Sequence, residues 1–526
     1  MLQEKLKSQR GKMSRTSKSI KNSKLNFTFV VATILLSFIS RKIFIEYLGD
    51  NIVGLTSTMQ NILGLLNIAE SGISVSISFA LYEPLFKNDR QRIKEIISIL
   101  LSLYKKIGTI ILGLSVCLLI TIPFIFKNSE VPITYIYTAF IVFLTSNLIG
   151  YFLNFRQILL VANQQGYIVV SISKLCIIIK VICQIFALKY LESGYIVWLF
   201  IELLFSFCNC YLLNLRINKL FPWLMMSELK QEISIEKYSF IFKKIKQVFF
   251  HRTAGILLVQ TGALFIYIFT DFATVTKYTN YTLIATQITI VFGSLLNSTS
   301  ASIGNLVAEG NKNNSIKIFG ELLSIRFVAA NIVIFCMYNL TEPFIGMWFG
   351  TEYILDRTIL ILILSSTFIS LARGCVDSFV DAYGLFHDVW ATCVEAIIFI
   401  AISIIGGYYW GIKGIALAPV VANGIFVVFW KPYFLFKNGF KMQVSEYWKK
   451  IIKLLLFNGL LFVACHYFIQ KWAFEINSLF QFFIYALGLF SVYSIFSFSI
   501  SYLTTRSIRD FTFHIVKMIK ASKNKM

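Results

Sequence analysis

Long apolar runs, separated by short polar segments, make up most of this chain. A helix needs about 20 mostly apolar residues to cross a bilayer, and fourteen stretches reach that length. They are about 25–45, 52–81, 107–126, 132–153, 168–188, 195–215, 248–270, 278–304, 318–345, 358–383, 388–408, 412–435, 451–470 and 478–503. The pattern predicts an all-α polytopic membrane protein with about fourteen transmembrane helices.

The second run, from Ile52 to about Leu81, is too polar for a helix that faces lipid. Polar and small residues recur there at spacings of three and four, and this places one stripe along the helix: Gln60, Gly64, Asn67, Ser71, Ser74 and Ser78. Unsatisfied polar groups are costly in hydrocarbon, so the stripe must face protein or water. A packing seam of small residues would explain the Ser and Gly positions, whereas Glu70 and Arg41 indicate a cavity that holds water.

Composition and charge agree with a membrane protein. The 526 residues are 57% hydrophobic and 14% charged, against roughly a quarter charged in soluble domains. The net charge of +23 could suggest nucleic acid, but the basic residues stand in short blocks between apolar runs, as in cytoplasmic membrane loops. With alternate loops inside, 36 of the 49 Lys and Arg lie on the inner side. The bias predicts a membrane protein with both termini in the cytoplasm.

Six segments follow from the runs and their charges. They are a cytoplasmic basic arm (1–24), an N-lobe of spans 1–6 (25–215), a cytoplasmic amphipathic linker (216–247), a C-lobe of spans 7–12 (248–436), two further spans (437–503) and a cytoplasmic basic tail (504–526). A shift of 223 positions lays spans 1 and 2 on spans 7 and 8, a weak internal repeat. Two six-span units in one orientation predict a parallel pseudo-repeat with a site between the halves.

Charged residues inside the spans are the candidate functional groups, because each needs a partner or water. Arg373, Asp377 and Asp381 stand at i, i+4 and i+8 in span 10 and share one helix face. Arg373 and Asp377 can form an ion pair, either to fix helix packing or to serve transport. Asp381 then leaves a surplus negative charge unless it is protonated or binds a cation.

Spans 5 and 6 carry charges as well. Lys174 and Lys180 are six residues apart, about 120° around a helix, so they do not share one face. Lys180 is a candidate to neutralise an acid on a neighbouring helix. Glu202 in span 6 and Glu395 in span 11 are lone carboxylates in the sequence, and each is either a packing partner or a proton-carrying group.

Two further cations lie near the inner ends of their spans. Arg252 begins span 7, and Arg326 in span 9 follows Glu321; either could reach the inner interface or contribute to a cavity. Taken together, the interior is mixed in sign and rather cationic. Such a cavity suits an amphiphile with a phosphate or diphosphate head, because the Arg guanidinium makes paired bonds to phosphate.

The chain offers no sign of a metal site or a cofactor. The 9 Cys lie almost wholly in apolar runs, no CxxC is present and the four His are scattered, so the cysteines are interpreted as small apolar residues. Coupling to H⁺ or Na⁺ through the acids Glu70, Glu202, Asp377 and Asp381 stays open.

A motif run in the first 106 residues is similar to a known family. It consists of Ser40-Arg-Lys-Ile-Phe-Ile-Glu-Tyr-Leu-Gly49, Val53-Gly-Leu55, Asn61-Ile-Leu63, Leu66-Asn-Ile-Ala-Glu-Ser-Gly72, Leu81-Tyr-Glu-Pro-Leu85 and Tyr104-Lys105. It resembles the opening of Wzx-type polysaccharide flippases, of the multidrug/oligosaccharidyl-lipid/polysaccharide (MOP) exporter superfamily. Two positions depart from the family pattern, which usually has Lys where this chain has Glu83 and commonly Leu where it has Ser71.

The resemblance implies two lobes around a V-shaped cavity. It implies a flippase, not an enzyme, that moves a lipid-linked oligosaccharide on undecaprenyl diphosphate to the outer leaflet for O-antigen or capsule biosynthesis. The partners would be this glycan, the bilayer, a polysaccharide polymerase and glycosyltransferases. The family's cationic cavity maps to Arg41; Lys174, Lys180, Arg252, Arg326 and Arg373 are added from their depth in the spans.

Two other functions remain open. An ion-coupled multidrug extruder of the same superfamily would want an acidic, apolar cavity, which Asp377 and Asp381 could supply. A membrane polymerase or glycosyltransferase is disfavoured, because no loop is long enough to form a soluble domain and the chain has no DxD or nucleotide-binding loop.

The charge bias gives a test of topology. In a variant without its native cysteines, a single cysteine near Lys230 should react with a membrane-impermeant thiol reagent in inverted vesicles but not in intact cells. A cysteine near Lys127, in a predicted outer loop, is the matched control and should show the opposite pattern. Labelling near Lys230 from outside intact cells would refute the topology.

Overall fold

The structure is a computed structural model that describes the backbone of residues 2–70, 72–191, 194–224, 238–296, 300–385, 387–471 and 478–523. Side chains are described for the same residues except 2–27, 67, 69, 75, 244, 247–248, 250–252, 254, 294–295, 300–301, 515 and 518–523. All regular elements in these ranges are helical, which confirms the predicted all-α class. Two of the predicted stripe positions, Asn67 and Ser71, and part of the predicted linker lie outside the described side chains.

The chain divides into two compact units, one up to Thr276 and one from Lys277. The helices of unit 1 are α1 (Leu2–Leu66), α2 (Ile73–Lys87), α3 (Arg90–Ile125), α4 (Ile133–Leu153), α5 (Gln157–Ala162), α6 (Gly166–Tyr190), α7 (Tyr195–Leu220), α8 (Ser239–Gln260) and α9 (Gly262–Phe269). The predicted lobes 25–215 and 248–436 stay a prediction.

Unit 2 begins within α10 (Phe272–Leu296). It continues with α11 (Ser300–Ala308), α12 (Lys312–Trp348), α13 (Arg357–Ala382), α14 (Val389–Trp410), α15 (Ile412–Asn423), α16 (Lys431–Leu435), α17 (Ser445–Lys471), α18 (Leu479–Thr504) and α19 (Arg506–Lys523). A π-helical segment, Gly424–Trp430, joins α15 to α16, and a second, Phe436–Phe440, follows α16.

All fourteen predicted spans fall on helices. Among the described residues, eleven helices are long and apolar enough to cross a membrane, by length and composition. Two of the other three predicted spans are divided, 52–81 between α1 and α2 and 248–270 between α8 and α9. The third, 278–304, falls on α10 and α11, and residues 297–299 between them lie outside the described residues. Breaks and polar residues are tolerated at membrane depth where protein or water satisfies them.

Gly49 interrupts α1 between the first two predicted spans. Its φ of 79° and ψ of 163° are not helical, and a residue with a Cβ rarely adopts this conformation. No atom lies within 4 Å of the position that a Cβ would take. Glycine is therefore required for its backbone conformation and not for lack of space. The break at Gly49 separates the first apolar run from the second.

A second glycine requirement comes from close packing. α14 and α15 meet across a turn at Gly411, and a Cβ on Gly414 would lie 2.0 Å from the carbonyl oxygen of Gly406. Small residues let the backbones of membrane helices approach this closely. The pair holds α14 against α15 next to the segment that leads into α16.

Buried polar groups attach the two C-terminal spans, α17 and α18, to α12. The Asn331 amide donates to the Tyr493 hydroxyl at 2.8 Å, and the Ser497 hydroxyl donates to the Asn458 side-chain oxygen at 2.8 Å. The Asn458 amide donates to Ser501 at 3.2 Å. All five residues are buried, and polar groups in an apolar interior favour the arrangement that pairs them.

The close contact of α14 with α15 generates a prediction about stability. Gly414→Ala should lower the melting temperature of the purified protein in detergent, because the new Cβ meets backbone that cannot rotate away; overpacking typically costs about 1–3 kcal/mol. Gly459→Ala in α17 is the matched control, since a Cβ there meets nothing within 4 Å. It should be neutral or stabilising, because Ala favours helix more than Gly does. An unchanged melting temperature for Gly414→Ala would contradict the close approach.

Candidate functional site

The most highly charged contact in unit 2 lies along α13. Arg373 and Asp377 stand one turn apart on this helix, and the Arg373 Nε donates to the Asp377 Oδ2 at 2.6 Å. The i, i+4 spacing brings such side chains together on a helix face. The predicted ion pair is therefore confirmed, although its role in transport stays a prediction.

Lys431 completes this contact from another helix. Its Nζ lies 3.2 Å from the Asp377 Oδ1, so each carboxylate oxygen has its own cation. Lys431 begins α16 directly after the π-helical segment; π-helical turns shift the register of a helix and are frequent at functional sites. We call Arg373, Asp377 and Lys431 the α13 charge cluster.

Lys431 is not among the charged residues that the sequence singled out, so its part in this cluster was missed. The available signal was that the predicted span 412–435 already contained this lysine. Its partner could not be read from spacing, because Asp377 lies 54 positions earlier in the chain.

Arg326 also packs against α13 and does not follow the interfacial alternative that the sequence left open. It is 6% exposed, and a Cβ on Gly374 would lie 2.0 Å from its Nη1. Its side chain therefore packs inward rather than reaching out to the interface. Glu321, the acid expected beside it, instead lies 2.9 Å from the Nδ1 of His514 on α19.

Two acids lie at the margins of the cluster. Glu395 on α14 is buried and close enough to Arg373 and Lys431 to interact with both electrostatically. The sequence treated Glu395 as a lone carboxylate, and the structure corrects that. Asp381 is exposed near the end of α13, one turn beyond Asp377; its proposed coupling role stays a prediction.

Unit 1 contains an ion pair between neighbouring spans. The Lys180 Nζ on α6 lies 2.7 Å from the Glu202 Oε1 on α7, with only 19% and 16% of the side chains exposed. Gln184 donates to the other Glu202 oxygen at 3.2 Å. The expectation that Lys180 neutralises a neighbouring acid is confirmed, and Glu202 is not a lone carboxylate.

Lys174 lies two turns before Lys180 on α6 and is half-buried. Among the residues that the structure describes, it has no hydrogen-bond or ion-pair partner in contact, unlike Lys180. Its part in binding substrate stays a prediction. The side chain of Arg252 lies outside the described residues.

Glu70 is held by two tyrosines. It ends a 3₁₀ turn, Asn67–Glu70, between α1 and α2, and its Oε1 accepts a hydrogen bond from the Tyr104 hydroxyl at 2.5 Å. The Tyr151 hydroxyl bonds to it as well. The break in the helix places this carboxylate among neutral donors, an arrangement in which an acid can be stabilised without a cation. Both tyrosines were missed as partners of Glu70.

Arg41 on α1 is half-buried and reaches two groups within unit 1. Its guanidinium lies 3.4 Å from the Ser57 hydroxyl and 3.4 Å from the Thr276 carbonyl oxygen. Both distances exceed the usual range of about 2.7–3.2 Å. The part of Arg41 in binding substrate stays a prediction.

The chemistry of these sites is ionic. Within the described residues, no three His, Cys, Asp or Glu side chains are grouped closely enough to hold a metal ion. The α13 charge cluster sets two cations against one carboxylate, a composition that suits an anion with several oxygens. Glu70, with its phenols, offers a site for a proton or a small cation.

Sequence comparison finds no match to any known family profile. Nor does any curated protein match the chain.

Solved structures do match. A multidrug resistance MATE family transporter of the MOP superfamily in an inward-facing conformation aligns with a TM-score of 0.55 and 14% identity, over 81% of this chain and 99% of that one. An outward-facing conformation of a transporter of the same description aligns with a TM-score of 0.51 and 15% identity, over 82% and 96%.

A third match is a MOP superfamily transporter from Pyrococcus furiosus. It aligns with a TM-score of 0.54 and 13% identity, over 80% of this chain and 96% of that one, and its binding pocket is described as having reversed polarity that suggests a different function. At such low identities the likeness concerns the fold alone. This chain has the fold of the MOP superfamily transporters.

Proposed function

We propose that this protein is a flippase that moves a lipid-linked oligosaccharide, carried on undecaprenyl diphosphate, across the bacterial cytoplasmic membrane for surface polysaccharide biosynthesis. The observation that carries the proposal is the α13 charge cluster, in which two cations share one carboxylate inside a membrane span. A diphosphate head needs cations at membrane depth, because its own desolvation is costly.

The surrounding residues support an anionic head group. Arg326 adds a third cation beside α13, where Glu395 and Asp388 are buried acids. In unit 1, Arg41 and Lys174 are both half-buried and are further candidates for contact with phosphate. The motif run between Ser40 and Lys105 resembles the Wzx-type flippases and favours the same substrate class.

Coupling would use an acid that can change its charge during the cycle. Glu70, held by Tyr104 and Tyr151, and Asp381, exposed near the end of α13, are the candidates for H⁺ or Na⁺. Glu202 is less suited, because Lys180 and Gln184 already occupy both of its oxygens. We expect the glycan to come from glycosyltransferases on the cytoplasmic face and to pass to a polymerase on the other face.

A second candidate function is ion-coupled multidrug extrusion. Two of the three structural neighbours are multidrug resistance transporters, which supports this alternative. Cationic drugs would need accessible acids, and Asp381 is one. Against this function, the Asp377 carboxylate already carries two cations and offers little to a third.

Deleting the gene separates the two functions. Loss of surface polysaccharide, restored by a plasmid copy, is expected for a flippase, since the repeat unit would stay on the inner leaflet. Drug susceptibility should not change. Normal surface glycan with increased drug susceptibility would instead establish the extruder, and a strain without other flippase genes removes the effect of substitution.

The Lys180–Glu202 pair generates a prediction that distinguishes structural from transport charges. Lys180→Met should destabilise the protein, because an unpaired buried charge typically costs about 3–5 kcal/mol. The double variant Lys180→Met with Glu202→Gln removes both charges and should recover most of the stability and of the surface glycan. Melting temperature in detergent and glycan level provide the two measurements. A stable double variant that exports no glycan would assign Lys180 or Glu202 to transport itself.

A further inference from the structure

Asp377 is surrounded as a bound anion would be. Arg373 donates to its Oδ2 at 2.6 Å, and Lys431 donates to its Oδ1 at 3.2 Å. Charge-assisted bonds of this kind are the ones that cations make to phosphate oxygens. The carboxylate therefore occupies the place in which a phosphate oxygen pair would find the same two donors.

The side chains of the α13 charge cluster are somewhat more exposed than those of the Lys180–Glu202 pair. The side chains of Arg373, Asp377 and Lys431 are 32%, 29% and 21% exposed, whereas Lys180 and Glu202 in unit 1 are 19% and 16% exposed. Partly exposed charges within a membrane span must face water or another polar group, since hydrocarbon excludes them. An external anion could therefore approach the two cations of the α13 charge cluster.

The groups packed around the cluster do not replace Asp377. Arg326 from α12 adds positive charge, and Glu395 from α14 is near the cations without a direct hydrogen bond to either. Asp388 accepts a hydrogen bond from the Trp430 indole at 3.2 Å, while Asp381 is exposed a turn away. If the Asp377 side chain were displaced, Arg373 and Lys431 would each lose the acceptor to which they are directly hydrogen-bonded.

We propose that Asp377 is an internal counter-ion that competes with the substrate's diphosphate for Arg373 and Lys431. The inference rests on the proposed function and names the site at which this substrate's head group binds in unit 2. When the diphosphate arrives, its oxygens take the two donors and the Asp377 side chain is displaced. When Asp377 returns, the head group is expelled, so the same carboxylate keeps the empty site neutralised and promotes release.

Competition of this kind lowers the apparent affinity of the site. Such a ligand binds only those molecules in which Asp377 has released the two cations. Its apparent dissociation constant is therefore higher, the more so the smaller that fraction of molecules is. Removing the competing charge should therefore tighten binding, although it should stop export because release is lost. A merely structural ion pair would give the opposite result for binding, since breaking it would disorder the donors.

The first experiment measures binding of geranylgeranyl diphosphate to the purified full-length protein in detergent, with geranylgeraniol as the probe without phosphate. Asp377→Asn should bind the diphosphate at least tenfold more tightly than the wild type, and Arg373→Gln and Lys431→Gln at least tenfold more weakly. Geranylgeraniol should not distinguish these variants. The proposal is overturned if Asp377→Asn binds the diphosphate no more tightly than the wild type does.

Asp356→Asn is the matched control. Asp356 lies just before α13, outside the spans, with Lys413 at 2.7 Å, and hydrogen bonds from Lys413 and Thr358 lower the pKa of Asp356 to about 2. It therefore stays charged at every pH of the assay. Removing this exposed carboxylate should leave diphosphate binding unchanged, which separates a local effect at Asp377 from a general change in charge.

A second experiment uses the wild-type protein, so its result does not depend on whether the variants fold. A carbodiimide should join the Asp377 carboxyl to the Lys431 amine as an amide, detected by mass spectrometry of the digested protein. Geranylgeranyl diphosphate should reduce this cross-link several-fold, and the cross-link between Asp356 and Lys413 should not change. Equal yields at Asp377 with and without the diphosphate would refute the competition.

The two proposals fail in different ways. Lost surface glycan in the deletion strain, together with unchanged diphosphate binding by Asp377→Asn, refutes the competition and leaves the flippase function standing. Normal glycan in that strain refutes the flippase function itself, whatever the binding measurements give.

Discussion

Water is excluded from the interior of a bilayer, and every polar group placed there has to find its partner within the protein. The backbone meets this requirement by forming helices, which explains why the described residues form no other regular element. Side chains meet it in pairs and networks. One such network lies in a hydrophobic environment and consists of Asn331, Asn458 and Tyr493, which form hydrogen bonds with one another or with nearby serines. The same requirement that builds the helices thus attaches α17 and α18 to α12.

The charges inside the spans meet the requirement to different degrees, and this difference separates structure from function. Both carboxylate oxygens of Glu202 have partners and the side chain is little exposed, so its ion pair with Lys180 resembles one that fixes helix packing. Arg156, a residue that sequence reasoning passed over, is 5% exposed and bonds to Asn214 and Asn218 on α7. Such groups hold helices together. The α13 charge cluster is equally well bonded but more exposed, as the proposed binding of an anionic head group requires.

Breaks in the helices occur where the polar groups gather. The 3₁₀ turn that ends at Glu70 follows α1, and the π-helical segment Gly424–Trp430 delivers Lys431 to Asp377. In an unbroken helix, the regular geometry fixes the direction of every side chain. A break changes these directions and can turn a side chain towards a partner that it could not otherwise reach. Discontinuous helices are also the elements from which transporter sites are commonly built. The polarity that excluded span 52–81 from contact with lipid therefore coincides with its division into two helices.

The sequence alone determined the helical class, the positions of the eleven long apolar helices among the described residues, and the Arg373–Asp377 pair. All of these depend on periodicity within one helix, and such periodicity is written locally in the chain. It also located Glu70 as an unusual acid, because a carboxylate inside an apolar run is visible without knowing its neighbours.

Only the tertiary structure decided which helix faces meet. It paired Lys180 with Glu202, brought Lys431 to Asp377, and placed Glu321 beside His514, 193 residues later in the chain. Apolar runs specify that a helix is buried in lipid or protein but contain little information about its rotation relative to a neighbour. That rotation follows from the packing of side chains from several spans at once, so the partners of the intramembrane charges emerge only in the folded protein.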